Sequence, residues 1–113
     1  MQNHPYYKEV KAIVESIENH KLNIEGVTYD GDEFEECHDN NDVIEAILAC
    51  DESYVRVRMD PMDHEQLKVN VYSNILIVLG NEPGIAIADW TNSYSDISTI
   101  IDHIQDDVYQ QFN

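Results

Sequence analysis

The sequence predicts an α+β domain: an antiparallel β-sheet, made of a hairpin and a meander, with about three helices packed against it. Three observations point there. Apolar residues recur at the three-and-four spacing of a helix near both ends of the chain and once in the middle. The segments between them alternate apolar and polar residues, as half-buried strands do. The connections are short and rich in Gly, Pro, Asn and Asp, which favours antiparallel neighbours over parallel crossovers. With 113 residues, 42% of them apolar, the chain has material for one core, and a single domain over 1–113 is expected.

The elements follow in order. Pro5 suits the first position of a helix, behind His4 or Asn3. Tyr6, Val10, Ile13, Val14 and Ile17 form its apolar stripe, and it ends near His20. Lys8, Glu9, Lys11, Glu15 and Glu18 make a mixed solvent face. Leu22, Ile24, Val27 and Tyr29 then alternate with a slip at Gly26, the mark of a bulge. Asp30-Gly31 is a hairpin turn, so Val27–Tyr29 and Glu33–Glu36 become its arms. A second helix begins near Asp42, which caps it together with Glu45. Val43, Ile44, Ile47, Leu48 and Cys50 are its apolar side, and it ends around Asp51.

Tyr54–Met59 alternates as a strand, broken by Asp60-Pro61 because proline cannot donate to a ladder. Gln66–Tyr72 alternates again, Ser73-Asn74 reads as a turn, and the apolar run Ile75–Leu79 reads as a central buried strand. Residues 80–84 are a turn, and Ile85–Trp90 is the last strand. The final helix opens over Asn92–Asp96, with Ser93 and Asp96 at capping-box spacing. Ile97, Ile100, Ile101, Ile104, Val108 and Phe112 are its buried stripe, and Trp90 is expected to pack on it. Asp102, His103, Asp106 and Asp107 face water.

Charge is the strongest signal. The chain has 23 acids against six Lys and Arg, a net charge of −17. Residues 1–21 sum to zero, residues 22–52 to −11 with no base at all, and residues 53–113 to −6. Uniform acidity would serve solubility; this concentration makes a face. It excludes binding nucleic acid through its phosphates, and it disfavours anionic membranes. No apolar run approaches the roughly 20 residues of a membrane span, and the N-terminal segment has no apolar signal core. A soluble cytoplasmic protein is expected.

The segment from Tyr29 to Asp42 carries seven carboxylates, and its spacing argues against a dedicated metal loop. Starting an EF-hand at Asp30 puts Phe34 at the fifth position, Glu35 where the glycine belongs and Asn41 where the bidentate Glu belongs. Cys37 and His38 are adjacent, and on a strand they would point to opposite faces. Cys50 is expected to be a packed thiol, and His4, His20 and His103 surface residues. No phosphate loop, zinc-helix motif or nucleophile elbow occurs, so no catalytic residue, metal ligand or cofactor is assigned.

What remains is a surface for a basic protein. Asp30, Asp32, Glu33, Glu35, Glu36, Asp39, Asp42, Glu45, Asp51 and Glu52 are its candidate residues. Duplex DNA carries a charge about every 1.7 Å of axis, and such a row of carboxylates can imitate it. The expected activity is then non-enzymatic inhibition of a nucleic-acid-binding protein. By analogy of class, viruses and mobile elements use small acidic proteins in this way against restriction and CRISPR machinery. A second reading is an immunity protein against one basic nuclease toxin, with Tyr29, Phe34 and Tyr54 as aromatic anchors beside the acids. A third is an acidic domain whose charge serves only solvation. Tyr6, Tyr7, Tyr72 and Tyr109 offer further contact area. The sequence leaves monomer and dimer open; an acidic face repels its copy, which turns any dimer toward a sheet edge or the first helix.

Overall fold

The computed structural model describes residues 3–29, 35–37, 39–80, 82–91 and 95–113, the side chains of Glu35 and Glu36 excepted. Its elements run α1 (Tyr7–Asn19), β1 (Asn23–Thr28), β2 (Glu35–Glu36), α2 (Asn40–Leu48), β3 (Glu52–Met59), β4 (Val71–Val78), β5 (Ile87–Trp90) and α3 (Ser95–Phe112). The sheet has the order β2-β1-β3-β4-β5, and every neighbouring pair is antiparallel. The predicted α+β class, with hairpin, meander and three packed helices, is the observed one.

The core lies between one sheet face and the helices. Val10, Ile13, Val14 and Ile17 of α1 are fully buried, as are Ile97, Ile101 and Ile104 of α3. They meet Val55, Val57 and Met59 of β3 and Ile75 and Ile77 of β4. β-Branched residues are indifferent helix formers, so α1 and α3 owe their stability to this packing rather than to propensity. The Cα radius of gyration, 13.2 Å, is that of one compact unit of this length, ~13 Å.

The register of β1 on β3 shifts between Ile24 and Gly26, where the bulge was expected. Gly26 and Val27 pair with Glu36 and Glu35, so the hairpin exists; its Asp30-Gly31 turn lies outside the described residues. Trp90 docks on α3, donating from Nε1 to Ser98 Oγ at 2.9 Å. Gly80 and Gly84 bracket the expected β4–β5 turn with φ of 94° and 90°.

Other expectations are corrected. Pro5 lies in a turn closed by Tyr7 N–H on His4 O, and α1 starts after it. Glu9 belongs to the interior, not to the solvent face: its Oε2 accepts from the buried Ala86 N–H at 2.9 Å. The cap of α2 is Asp39 rather than Asp42, because Asp39 is extended and its Oδ1 accepts from Asp42 N–H. That helix stops at Leu48, well short of Asp51, and Cys50 beyond it is exposed rather than packed. Ser73-Asn74 is no turn. It sits inside β4, where Ser73 Oγ donates to Thr91 O at 2.7 Å. Residues 66–70 precede that strand, with Val69 exposed. β5 begins at Ile87, two residues late. Ile100 and Phe112 of α3 are only partly buried.

Candidate functional site

The acidic candidates divide into groups. Asp39, Asp42 and Glu45 lie along the start and outer side of α2, each about 4.5 Å further along the axis. Asp39 and Glu45 are exposed, and Asp42 is half-buried. The helix presents this side because Val43, Ile44 and Ile47 bury the other. The negative residues of the first turn also complement the positive end of the helix dipole. Asp51 follows α2, exposed, and Glu35 and Glu36 form β2 on the adjoining sheet edge. Glu52 parts from this group. It alternates with buried Ser53, so it points to the sheet face away from the helices. Asp30, Asp32 and Glu33 lie outside the described residues.

A cleft of about 590 Å³ opens beside the start of α2. Glu18 from α1, Glu25 from β1, Asp39 and Asp63 bring carboxylates to its walls, while Lys21 and Arg58 offset part of the charge. Asn40 Nδ2 donates to Glu18 Oε2 at 2.9 Å, which ties the end of α1 to the start of α2. Arg58 Nη1 lies 3.0 Å from Glu25 Oε1, and Nη2 lies 3.8 Å from Asp60 Oδ2. Leu22, Ile24 and Val43 supply apolar wall. Such a cleft suits the stem and head of a Lys or Arg side chain. The sequence reading missed Glu18, Glu25 and Asp63 as neighbours of Asp39. They come from separate segments, and no local spacing links them.

The aromatic candidates separate as well. Tyr29 is 44% exposed and donates its hydroxyl to Ala46 O of α2 at 2.9 Å, so it stands beside the acidic helix. Tyr54 lies on the other side of the sheet, paired with Thr28 and Leu76. Phe34 is outside the described residues. Of the histidines, His20 lies 3.6 Å from Asp107 and 2.9 Å from Ser16 O, while His103 is exposed. Cys37 is half-buried at the cleft and His38 is outside the described residues. Among the described residues, no group of three or more His, Cys, Asp and Glu side chains is placed to hold a metal ion. Among them, no helix is long and apolar enough to cross a membrane. Comparison with known proteins gave no match, whether to a family model, a curated protein or a solved structure.

Proposed function

We propose that this chain is a non-enzymatic, cytoplasmic inhibitor that binds a basic, nucleic-acid-binding protein through its acidic face. The observation that carries the reading is the run of eleven acids and no base over residues 22–52. Self-repulsion of this size works against folding, and a uniform coat would give the same solubility with less local repulsion. A cationic groove is the surface that such a run complements. Asp39, Asp42 and Glu45 would follow its basic side chains along α2, and the cleft between Glu18 and Asp39 would take one Lys or Arg. The occupied groove would be closed to DNA or RNA, as in anti-restriction and anti-CRISPR proteins of viruses and mobile elements.

The test begins with capture of binding proteins from a host lysate at low salt, with elution by raised salt. The captured protein is then mixed with labelled duplex DNA and increasing amounts of the chain. Displacement of the DNA is the expected result. It should fail when Asp39, Asp42, Glu45 and Asp51 are changed together to Asn or Gln in a chain that still folds. Undiminished DNA binding by the captured protein would exclude mimicry. Exposed Tyr29 beside α2 favours one alternative, an immunity protein with a single nuclease partner, since such interfaces join aromatics to acids. That reading expects one tight partner whose catalysis, rather than DNA affinity, is blocked.

A further inference from the structure

The sheet ends in two unlike edges. β2 is two residues long and both are glutamate, so length and charge already keep a further strand away. β5 lacks both protections. Residues 85–90 read IAIADW, with one charge and no Gly or Pro, the composition of a segment that pairs readily with a copy of itself. An added strand gains its affinity from main-chain hydrogen bonds, so the free backbone groups of β5 decide whether it does so.

The ladder fixes where those groups point. Thr91 N–H donates to Asn74 O of β4 at 3.0 Å, and Val78 N–H of β4 donates to Ala86 O at 2.8 Å. Successive residues of an extended strand turn their N–H and C=O to opposite sides. Trp90 N–H and Ile87 C=O therefore turn away from β4, to the open side. Side chains meet both. Trp90 N–H donates to Asp89 Oδ1 at 2.8 Å, and Ile87 O accepts from Gln105 Nε2 of α3 at 2.9 Å. Gln105 adjoins buried Ile101 and Ile104, so the packing of α3 holds its amide over the strand.

We propose that Asp89 and Gln105 close the β5 edge to strand addition, and that the strand kept out is β5 of a second copy. A two-fold axis would pair two such strands antiparallel, as every neighbouring pair in this sheet is. β5 is four residues long, so one donor and one acceptor already engaged are a large share of what it offers. An incoming strand has to break both bonds, and the half-buried Gln105 amide then loses its acceptor, which cancels the gain at these two positions. The inference is independent of the inhibitor reading, since neither residue belongs to the α2 side.

Sedimentation velocity over a concentration series, with circular dichroism following the fold, tests it on Asp89→Ala, Gln105→Ala and the two together. The double variant should move from the 13.1 kDa monomer toward twice that mass, at a concentration about tenfold or more below any association of the unchanged chain. Each single variant should fall between the two, and these carry the test should the double variant fail to fold. Asp89→Asn keeps the acceptor without the charge and should sediment as the unchanged chain does. Asp39→Ala, destabilised at α2 with both edge bonds intact, should do the same. Ala88→Lys added to the double variant should reverse its association, because it puts a charge on the open strand. Variants that associate no more than the unchanged chain overturn the proposal. Equal association by Asp39→Ala overturns it too, by assigning the effect to lost stability. Association of Asp89→Asn equal to that of Asp89→Ala overturns the role of the hydrogen bond, and association that survives Ala88→Lys overturns pairing through β5.

Discussion

Lys21 holds a φ of 61°, in the left-handed region that side chains other than glycine occupy at a cost. The bonds around it explain why the chain goes there. Lys21 N–H donates to Glu18 O and Leu22 N–H to Ile17 O, the pair of bonds that closes a helix with a left-handed residue. Leu22 and Ile17 are both buried, so the turn also completes a hydrophobic contact. Lys21→Gly should therefore stabilise the fold by about 0.5–1 kcal/mol, the relief of strain outweighing the added freedom of the unfolded chain. Urea denaturation reads this as a higher midpoint. Glu9 gives the opposite case. Its carboxylate accepts from buried Ala86 N–H, so Glu9→Ala strands a backbone donor in the interior. The loss should be about 1–3 kcal/mol, and Glu9→Gln, which keeps an acceptor, should lose distinctly less. An equal loss in both variants would show that the hydrogen bond is not what holds Glu9 inside.

At the scale of elements, α2 shows how the fold and the candidate site are joined. Asp39 caps the helix and also belongs to the acidic row. Asp39→Ala should cost about 1 kcal/mol in thermal or urea unfolding, while Asp39→Asn keeps the cap and should be close to neutral. The pair separates folding from recognition, since the asparagine variant lacks only the charge. Element types were legible in the sequence because their periodicities are set by burial on one side. Some boundaries were not. Leu67, Val69, Val71, Ser73, Ile75 and Ile77 share one parity, so an unbroken alternation was there to be seen. Ser73 interrupts that alternation in sequence because a hydroxyl looks like a turn residue until Thr91 O is known to accept its hydrogen bond. Glu9 was misplaced for the same reason: its partner is a backbone amide 77 residues away. The acidic row on α2 could be read locally, whereas the cleft and the departure of Glu52 to the other sheet face depend on tertiary placement and strand parity.

At the scale of the whole molecule, the charge of −17 sets stability and recognition against each other. Each exposed acid of the α2 side is repelled by its neighbours, and the nearby bases offset only part of this: Lys21 and Arg58 line the adjoining cleft, and Arg58 is already engaged with Glu25. Salt shortens the reach of this repulsion to about 8 Å at physiological ionic strength. Raising sodium chloride should therefore increase the melting temperature of the free chain, while the same salt weakens its hold on a basic partner. Neutralisation separates the two further. Changing Asp39, Glu45 and Asp51 to Asn, Gln and Asn should leave the fold as stable as before or more stable by up to about 1 kcal/mol. Partner affinity should fall in the same variant, chiefly through a slower association rate that responds less steeply to salt. Calorimetry and stopped-flow binding measure the two sides. A variant that gains stability and loses its partner identifies residues kept for recognition at the expense of folding. A variant that keeps both stability and binding leaves the α2 acids as a solvated surface and moves the site to the other walls of the cleft or to the sheet face away from the helices.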